Sequence, residues 1–132
     1  MKLEGAVCVV TGSATGTGAA CAIQLAKKGC RVVVNYTKSE KGATQTVDAC
    51  NAAGAEAIML KADVSQDTDC RALAKAALDK WGRIDALINN AGITKFAAAA
   101  DLDGLDAEDF QRIYAVNVIG PYQMIRACVP AM

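Results

Sequence analysis

The 132-residue chain is long enough for one domain of ordinary size, and 53% hydrophobic against 21% charged residues gives it a core to bury, which excludes disorder. Fourteen basic residues balance fourteen acidic ones, so no long-range field draws the chain to nucleic acid or a membrane surface. Six scattered cysteines without a C-x-x-C pair, and no histidine, make no zinc-type ligand set and read as buried free thiols in a reducing compartment. The start, Met-Lys-Leu-Glu-Gly, leads into a strand-like run rather than a signal peptide, and no apolar stretch nears the ~20 residues of a membrane span. The expectation is a soluble, cytoplasmic protein with no metal, nucleic-acid or membrane partner.

The first β-rich run covers residues 6–11 and hands over to Thr11-Gly12-Ser13-Ala14-Thr15-Gly16-Thr17-Gly18. Gly12 permits a tight turn, Gly16 leaves room for a pyrophosphate, and Gly18 lets helix and strand pack closely. An amphipathic stretch over 16–28 then places Ala19, Ile23 and Ala26 on one face and stops at Gly29. The second run, 30–35, carries Val32-Val33-Val34 and is followed by a helical stretch over 39–53, ending at Gly54. The third, 56–62, precedes a helix over 65–81 that aligns Leu73, Ala77 and Trp81 and stops at Gly82. The fourth run is 84–89. A last helical segment starts near Asp106 and runs to the C-terminus, with Pro121 predicting a kink or break.

The run starts fall 24, 26 and 28 residues apart, close to the ~30 residues of a βαβ unit. Continuous Val, Ile and Leu, without polar alternation, mark strands covered on both faces. Three helices closed by glycine fit left-handed caps. Residues 1–132 therefore read as a single doubly wound α/β domain of Rossmann type.

The spacing T-G-x-x-x-G-x-G resembles the short-chain dehydrogenase/reductase family. Three ordered matches follow: Asp63-Val64 after the third run, Asn89-Asn90-Ala91-Gly92 ending the fourth, and Asn117 within Tyr114-Ala115-Val116-Asn117-Val118. The resemblance implies a parallel sheet of order 3-2-1-4 and a dinucleotide held by Gly12, Ser13, Thr15, Gly16, Thr17 and Gly18. It also implies that Asp63 and Val64 meet the adenine ring, that Asn90, Ala91 and Gly92 line the cofactor, and that Asn117 serves the catalytic centre, bending its helix and holding a water in the proton relay. Two departures are Thr15, where many NADP-binding relatives carry a basic residue, and Thr17, where relatives mostly carry a bulky aliphatic one.

Each match has a plainer reading. Asp63 caps the following helix; Asn89 and Asn90 stop a strand. Asn117 falls on the stripe of Phe110, Ile113, Tyr114 and Val118, where a buried carboxamide needs partners whether or not it meets substrate.

Cofactor choice rests on Val34-Asn35-Tyr36-Thr37-Lys38-Ser39, which has no carboxylate before Glu40 to take a ribose 2′-hydroxyl. Asn35, Thr37, Lys38 and Ser39 are instead candidate donors to a 2′-phosphate, beside Tyr36, so NADP(H) is favoured over NAD(H). Lys38 reads equally as a solvated surface charge.

Reduction of a carbonyl needs a proton donor. The family uses a tyrosine with a lysine four residues on, and a serine. Here Tyr36, Tyr114 and Tyr122 are followed at that spacing by Glu40, Val118 and Arg126, and arginine cannot give up its proton. The expectation is a chain truncated before the fifth strand, holding a cofactor but inactive alone; ketone or alcohol substrates would need the other half. The alternatives are a non-catalytic nucleotide-binding module and an inactive gene fragment. Order 3-2-1-4 would leave the fourth strand, 84–88, as an apolar edge open to self-association or a complementing segment.

Overall fold

A computed structural model describes residues 2–132. Strands β1 (Val7–Val10), β2 (Arg31–Tyr36), β3 (Ala57–Lys61) and β4 (Ala86–Ile88) form one parallel sheet in the order β3-β2-β1-β4. Cys8 pairs with Val32 on one side and Ala86 on the other, and Val32 pairs in turn with Ala57. Helices α1 (Gly16–Lys27), α2 (Glu40–Ala52) and α3 (Asp67–Trp81) alternate with the strands. Gly29, Gly54 and Gly82 follow them with positive φ, as the three glycine stops require.

The alternation of side chains along each strand divides the core between two layers. Val7, Val9 and Val33 pack with Cys70, Leu73, Ala74 and Ala77 of α3 on one face. Val10, Val32 and Val34 meet Ala22 and Ala26 of α1 and Ala43 and Cys50 of α2 on the other. Both faces of β1 and β2 are thus apolar, which is why their valines run without a polar break. The six cysteines are all unpaired, and burial pushes the Cys8 thiol up to about 12 and those of Cys70 and Cys128 to about 11.

The last helical segment departs from its expected form in two ways. Asp106 caps α4 (Ala107–Tyr114), its carboxylate accepting from the Asp109 N–H while Asp109 answers to the Asp106 N–H. The path does not break at Pro121. A π turn, Ala115–Ile119, joins α4 to α5 (Gly120–Cys128), and the chain closes in a 3₁₀ turn, Val129–Ala131. Proline has no N–H for the Asn117 carbonyl one turn back, and the Gly120 N–H reaches the Ala115 carbonyl instead.

The second departure is the buried face. Of the stripe expected to face inward, Phe110, Tyr114 and Val118 are 64%, 58% and 47% exposed, and Ile113 alone is half-buried. The core side is Val116, Gly120, Gln123, Met124 and Cys128. Close approach decides this: a Cβ on Gly120 would lie 2.8 Å from Val64 Cγ2, and Gln123 Nε2 donates to the Val64 carbonyl at 2.9 Å. The helix seats itself on Gly120 and Met124, and the aromatic residues Phe110, Tyr114 and Tyr122 are left outside.

Candidate functional site

The carboxyl ends of all four strands open on one cleft of about 860 Å³, the place where an open parallel sheet holds its ligands. Its floor begins at the turn between β1 and α1. Gly12 takes φ +61°, and a Cβ there would lie 2.8 Å from the Ala91 backbone. A Cβ on Gly18 would lie 2.4 Å from both the Gly12 carbonyl and Asn90 Nδ2. Helix α1 can start against the strand only because both positions lack side chains. From the opposite side α2 closes in just as tightly, since a Cβ on Gly42 would reach 2.7 Å from the Ala14 carbonyl.

Hydrogen bonds from three directions hold this turn. Asn35 Oδ1 accepts from the Gly12 N–H at 2.9 Å, and its Nδ2 donates to the Ala62 carbonyl at 2.9 Å. Ser13 Oγ donates to the Val10 carbonyl at 2.7 Å and accepts from the Asn35 N–H at 3.0 Å. Asn90 Nδ2 donates to the carbonyls of Thr11 and Gly12, both at 3.0 Å. Thr11 Oγ1 accepts from the N–H groups of Asn90 and Ala91 at 2.9 and 3.0 Å.

At the start of α1 the Thr15 carbonyl is the first helical acceptor, taken by Ala19 at 3.3 Å. The N–H groups of Gly16, Thr17 and Gly18 therefore have no intrahelical partner, and the Thr15 side chain makes no cap bond to them. They form a cluster of free donors at the positive end of a helix dipole.

Of the residues singled out in the sequence, Gly12, Thr15, Asn35, Tyr36, Thr37, Lys38, Asp63, Val64, Asn90, Ala91 and Gly92 line the cleft. Ser13, Gly16, Thr17, Gly18 and Asn117 do not. Two polar groups point elsewhere than expected. Ser13 and Asn35 are 0% and 2% exposed, and their side chains are spent on the fold. Asn35 is thus a brace of the glycine turn rather than a free donor, leaving Thr37, Lys38 and Ser39 as the exposed polar groups after β2.

Asn117 is neither buried nor unpartnered. Its Oδ1 accepts from the Ile93 N–H at 2.8 Å and its Nδ2 donates to the Ile93 carbonyl at 2.9 Å, so the carboxamide holds the chain leaving β4. A Cβ on Gly92 would sit 3.5 Å from Asn117 Oδ1, in ordinary contact. Tyr122 stacks under the Arg126 guanidinium at 5.6 Å, on the exposed face of α5 and away from the cleft.

The far end of the cleft holds a group that no single motif announced. Asp63 accepts at Oδ1 from the Ser65 N–H (2.9 Å) and hydroxyl (2.7 Å), and at Oδ2 from Arg112 Nη2 (2.9 Å). Arg112 Nη1 also reaches Ser65 Oγ at 2.9 Å. Burial raises the Asp63 pKa, but the Ser65 and Arg112 donors outweigh it and hold the carboxyl below the usual range. The helix-cap reading of Asp63 fails in detail: the N-cap of α3 is Gln66, and Asp63 braces the loop before it. Arg112 stands 49 residues from Asp63, so only the packing of α4 over the loop after β3 brings them together. Thr11, by contrast, had a signal, a hydroxyl at the end of a strand just before the turn glycine.

A family model described as short chain dehydrogenase matches residues 6–132. The chain belongs to this family. An uncharacterised oxidoreductase of Methylorubrum extorquens is 50% identical over 119 residues, 90% of this chain and 47% of its own length. The crystal structure of a family member from Burkholderia phymatum in complex with NAD superposes with a TM-score of 0.89 at 36% identity, covering 100% of this chain and 46% of that one. A metagenomic member in complex with NADP gives 0.89 at 35% identity, covering 100% and 58%. The chain spans about half the length of the curated relatives it matches. The family's parallel order is the one seen here, and no helix among the described residues is long and apolar enough to cross a membrane.

Proposed function

We propose that the chain is the cofactor-holding part of a nicotinamide-dependent oxidoreductase and that it prefers NADP(H) to NAD(H). The braced glycine turn carries this reading, because it presents three unpaired N–H groups at the start of α1 beside a cleft large enough for a dinucleotide. Gly16, Thr17 and Gly18 would donate to the pyrophosphate, Asp63 and Val64 would meet the adenine, and Asn90, Ala91 and Gly92 would line the path toward the nicotinamide. The bound nicotinamide would supply the hydride for a ketone or accept it from an alcohol. Thr37, Lys38 and Ser39 would hold the 2′-phosphate, with no carboxylate before Glu40 to repel it. Asn117 would act on the reacting end by fixing Ile93 at the mouth of the cleft.

Within these residues no tyrosine has a lysine four positions on, so the chain by itself would bind without turnover. Substrate reduction would need the proton donor supplied by further sequence. Six unpaired thiols suit a reducing, cytoplasmic setting. The open β4 edge and the exposed apolar face of α4 and α5 would favour self-association.

Calorimetric titration of the folded chain with NADPH and with NADH tests the reading. Saturable binding that is at least several-fold tighter for NADPH is expected. Equal affinities would overturn the preference, and no binding of either would overturn the site. Alcohol-dependent reduction of NADP above background would show instead that an acid–base group able to take the hydroxyl proton lies within these residues.

A further inference from the structure

We propose that Lys61, the last residue of strand β3, is a second cation for a ribose 2′-phosphate and sets the preference for NADP(H) together with Lys38. The inference rests on the reading of residues 37–39 given above and extends it to a different strand. A phosphate monoester carries close to two negative charges at neutral pH. No basic residue lies in the turn of residues 11–18, and the stretch after β2 brings only Lys38 into the cleft. One cation leaves such a group half neutralised.

The sheet decides where Lys61 goes. Side chains alternate along β3, and Ile58, Leu60 and Ala62 pack into the layer of α3. Ala57 packs into the layer of α1 and α2, and Met59 Sδ accepts from the Thr44 hydroxyl of α2 at 3.7 Å. Lys61 follows Met59 on that face. Its neighbour in register is Tyr36, from which the chain runs through Thr37, Lys38 and Ser39 into α2. Adjacent strands lie about 4.8 Å apart, a gap that a four-carbon stem crosses.

Both lysines are exposed, both line the cleft, and neither forms an ion pair among the described residues. The other charges of the cleft are answered or lie elsewhere: Arg112 is paired with Asp63 at 2.9 Å, and Asp69 belongs to α3, on the opposite face of the sheet. Glu40, the first carboxylate after β2, does not line the cleft. Two uncommitted cations thus flank the approach to α2 from adjacent strand ends. A plainer role exists, because β3 is an edge of the sheet and a lysine there deters pairing with another chain. That role bears on association and not on the choice between two dinucleotides.

The experiment measures dissociation constants for NADPH and NADH with wild type, Lys61→Met, Lys61→Arg and Lys61→Glu, with circular dichroism confirming that each is folded. Lys61→Met is expected to weaken NADPH roughly fivefold and NADH less than about twofold, and added salt should narrow the gap. Lys61→Arg should keep the wild-type ratio, and Lys61→Glu should lower it further than Lys61→Met. A wild-type preference for NADPH that Lys61→Met leaves intact would overturn this inference alone, and raised self-association on gel filtration would then assign Lys61 to guarding the edge. Equal losses for both dinucleotides would overturn it too. Equal affinities in the wild type would overturn the NADP(H) reading and this inference together.

Discussion

Two stretches of irregular chain border the cleft, and they are built on opposite terms. The turn between β1 and α1 sits among Asn35, Ser13, Thr11 and Asn90, whose polar atoms bond inward. Residues 93–105, after β4, are almost all exposed, with Phe96 and Leu102 at 92% and 90%. That stretch is held by the two Asn117 bonds to Ile93 and the Lys95–Asp109 ion pair at 2.6 Å. The sheet itself fixes the first, so a group recognised there finds its donors already in place. The second takes little from the sheet, and its form can be set by whatever packs on it. A phosphate end common to many ligands suits the first arrangement, and an end that differs between substrates suits the second.

The sharpest way to break this contrast is to crowd the turn. Gly18→Ala places a methyl group where the Gly12 carbonyl and Asn90 Nδ2 lie 2.4 Å away, the first of them backbone of the braced turn. About 3 kcal/mol of stability should be lost in urea unfolding, together with saturable NADPH binding. Asn35→Ala comes next. It leaves the half-buried Gly12 N–H and the buried Ala62 carbonyl without their partner, and should cost about 2 kcal/mol by the same measurement.

Asn117→Ala should cost less, about 1 kcal/mol, because its partner lies at the surface, where water can replace it. Its mark should instead be local, with faster hydrogen exchange at the Ile93 amide and none at Gly12. Acid sharpens the contrast from another side. The folded Asp63 carboxyl titrates below its unfolded value, so its contribution is present above pH about 4 and is lost as pH falls through the depressed folded value. Arg112→Met should flatten that part of the stability profile, read from melting temperature between about pH 2 and 5. Phe96→Ser should change stability by less than about 0.5 kcal/mol, and gel filtration should show whether it reduces self-association.

Much of this was legible in the residues. The parallel α/β layout follows from four apolar runs spaced for βαβ units, the strand order follows from the family resemblance, and the tight turn at the head of α1 follows from three glycines at a strand-to-helix junction. What was not legible concerns the direction of side chains. Asn35 ends a run of valines beside a turn, and whether its carboxamide faces a ligand or the Gly12 N–H depends on the pairing of β1 with β2, which composition does not carry. In α4 and α5 the usual rule assigns the bulkiest stripe to the core. Here the neighbouring Val64 demands Gly120 at the contact, Met124 packs beside it, and Phe110, Tyr114 and Tyr122 lie outside. Arg112 gave no local signal, since its partners lie 47 and 49 residues earlier.

The π turn has a further consequence for how this helix tolerates change in length. One extra residue within a turn rotates everything after it by about 100° relative to an unbroken α-helix. Arg112, ahead of the turn, reaches Asp63 in one angular phase, while Gln123, Met124 and Cys128, beyond it, meet α3 and Val64 in another. Deleting a single residue between 115 and 119 would straighten the helix and bring both sets into one phase, so that one of the two would lose its target. Insertions and deletions should accordingly be accepted in residues 97–104, which form no helix or strand, and refused in these five, which lie within the helical path from Ala107 to Ala131.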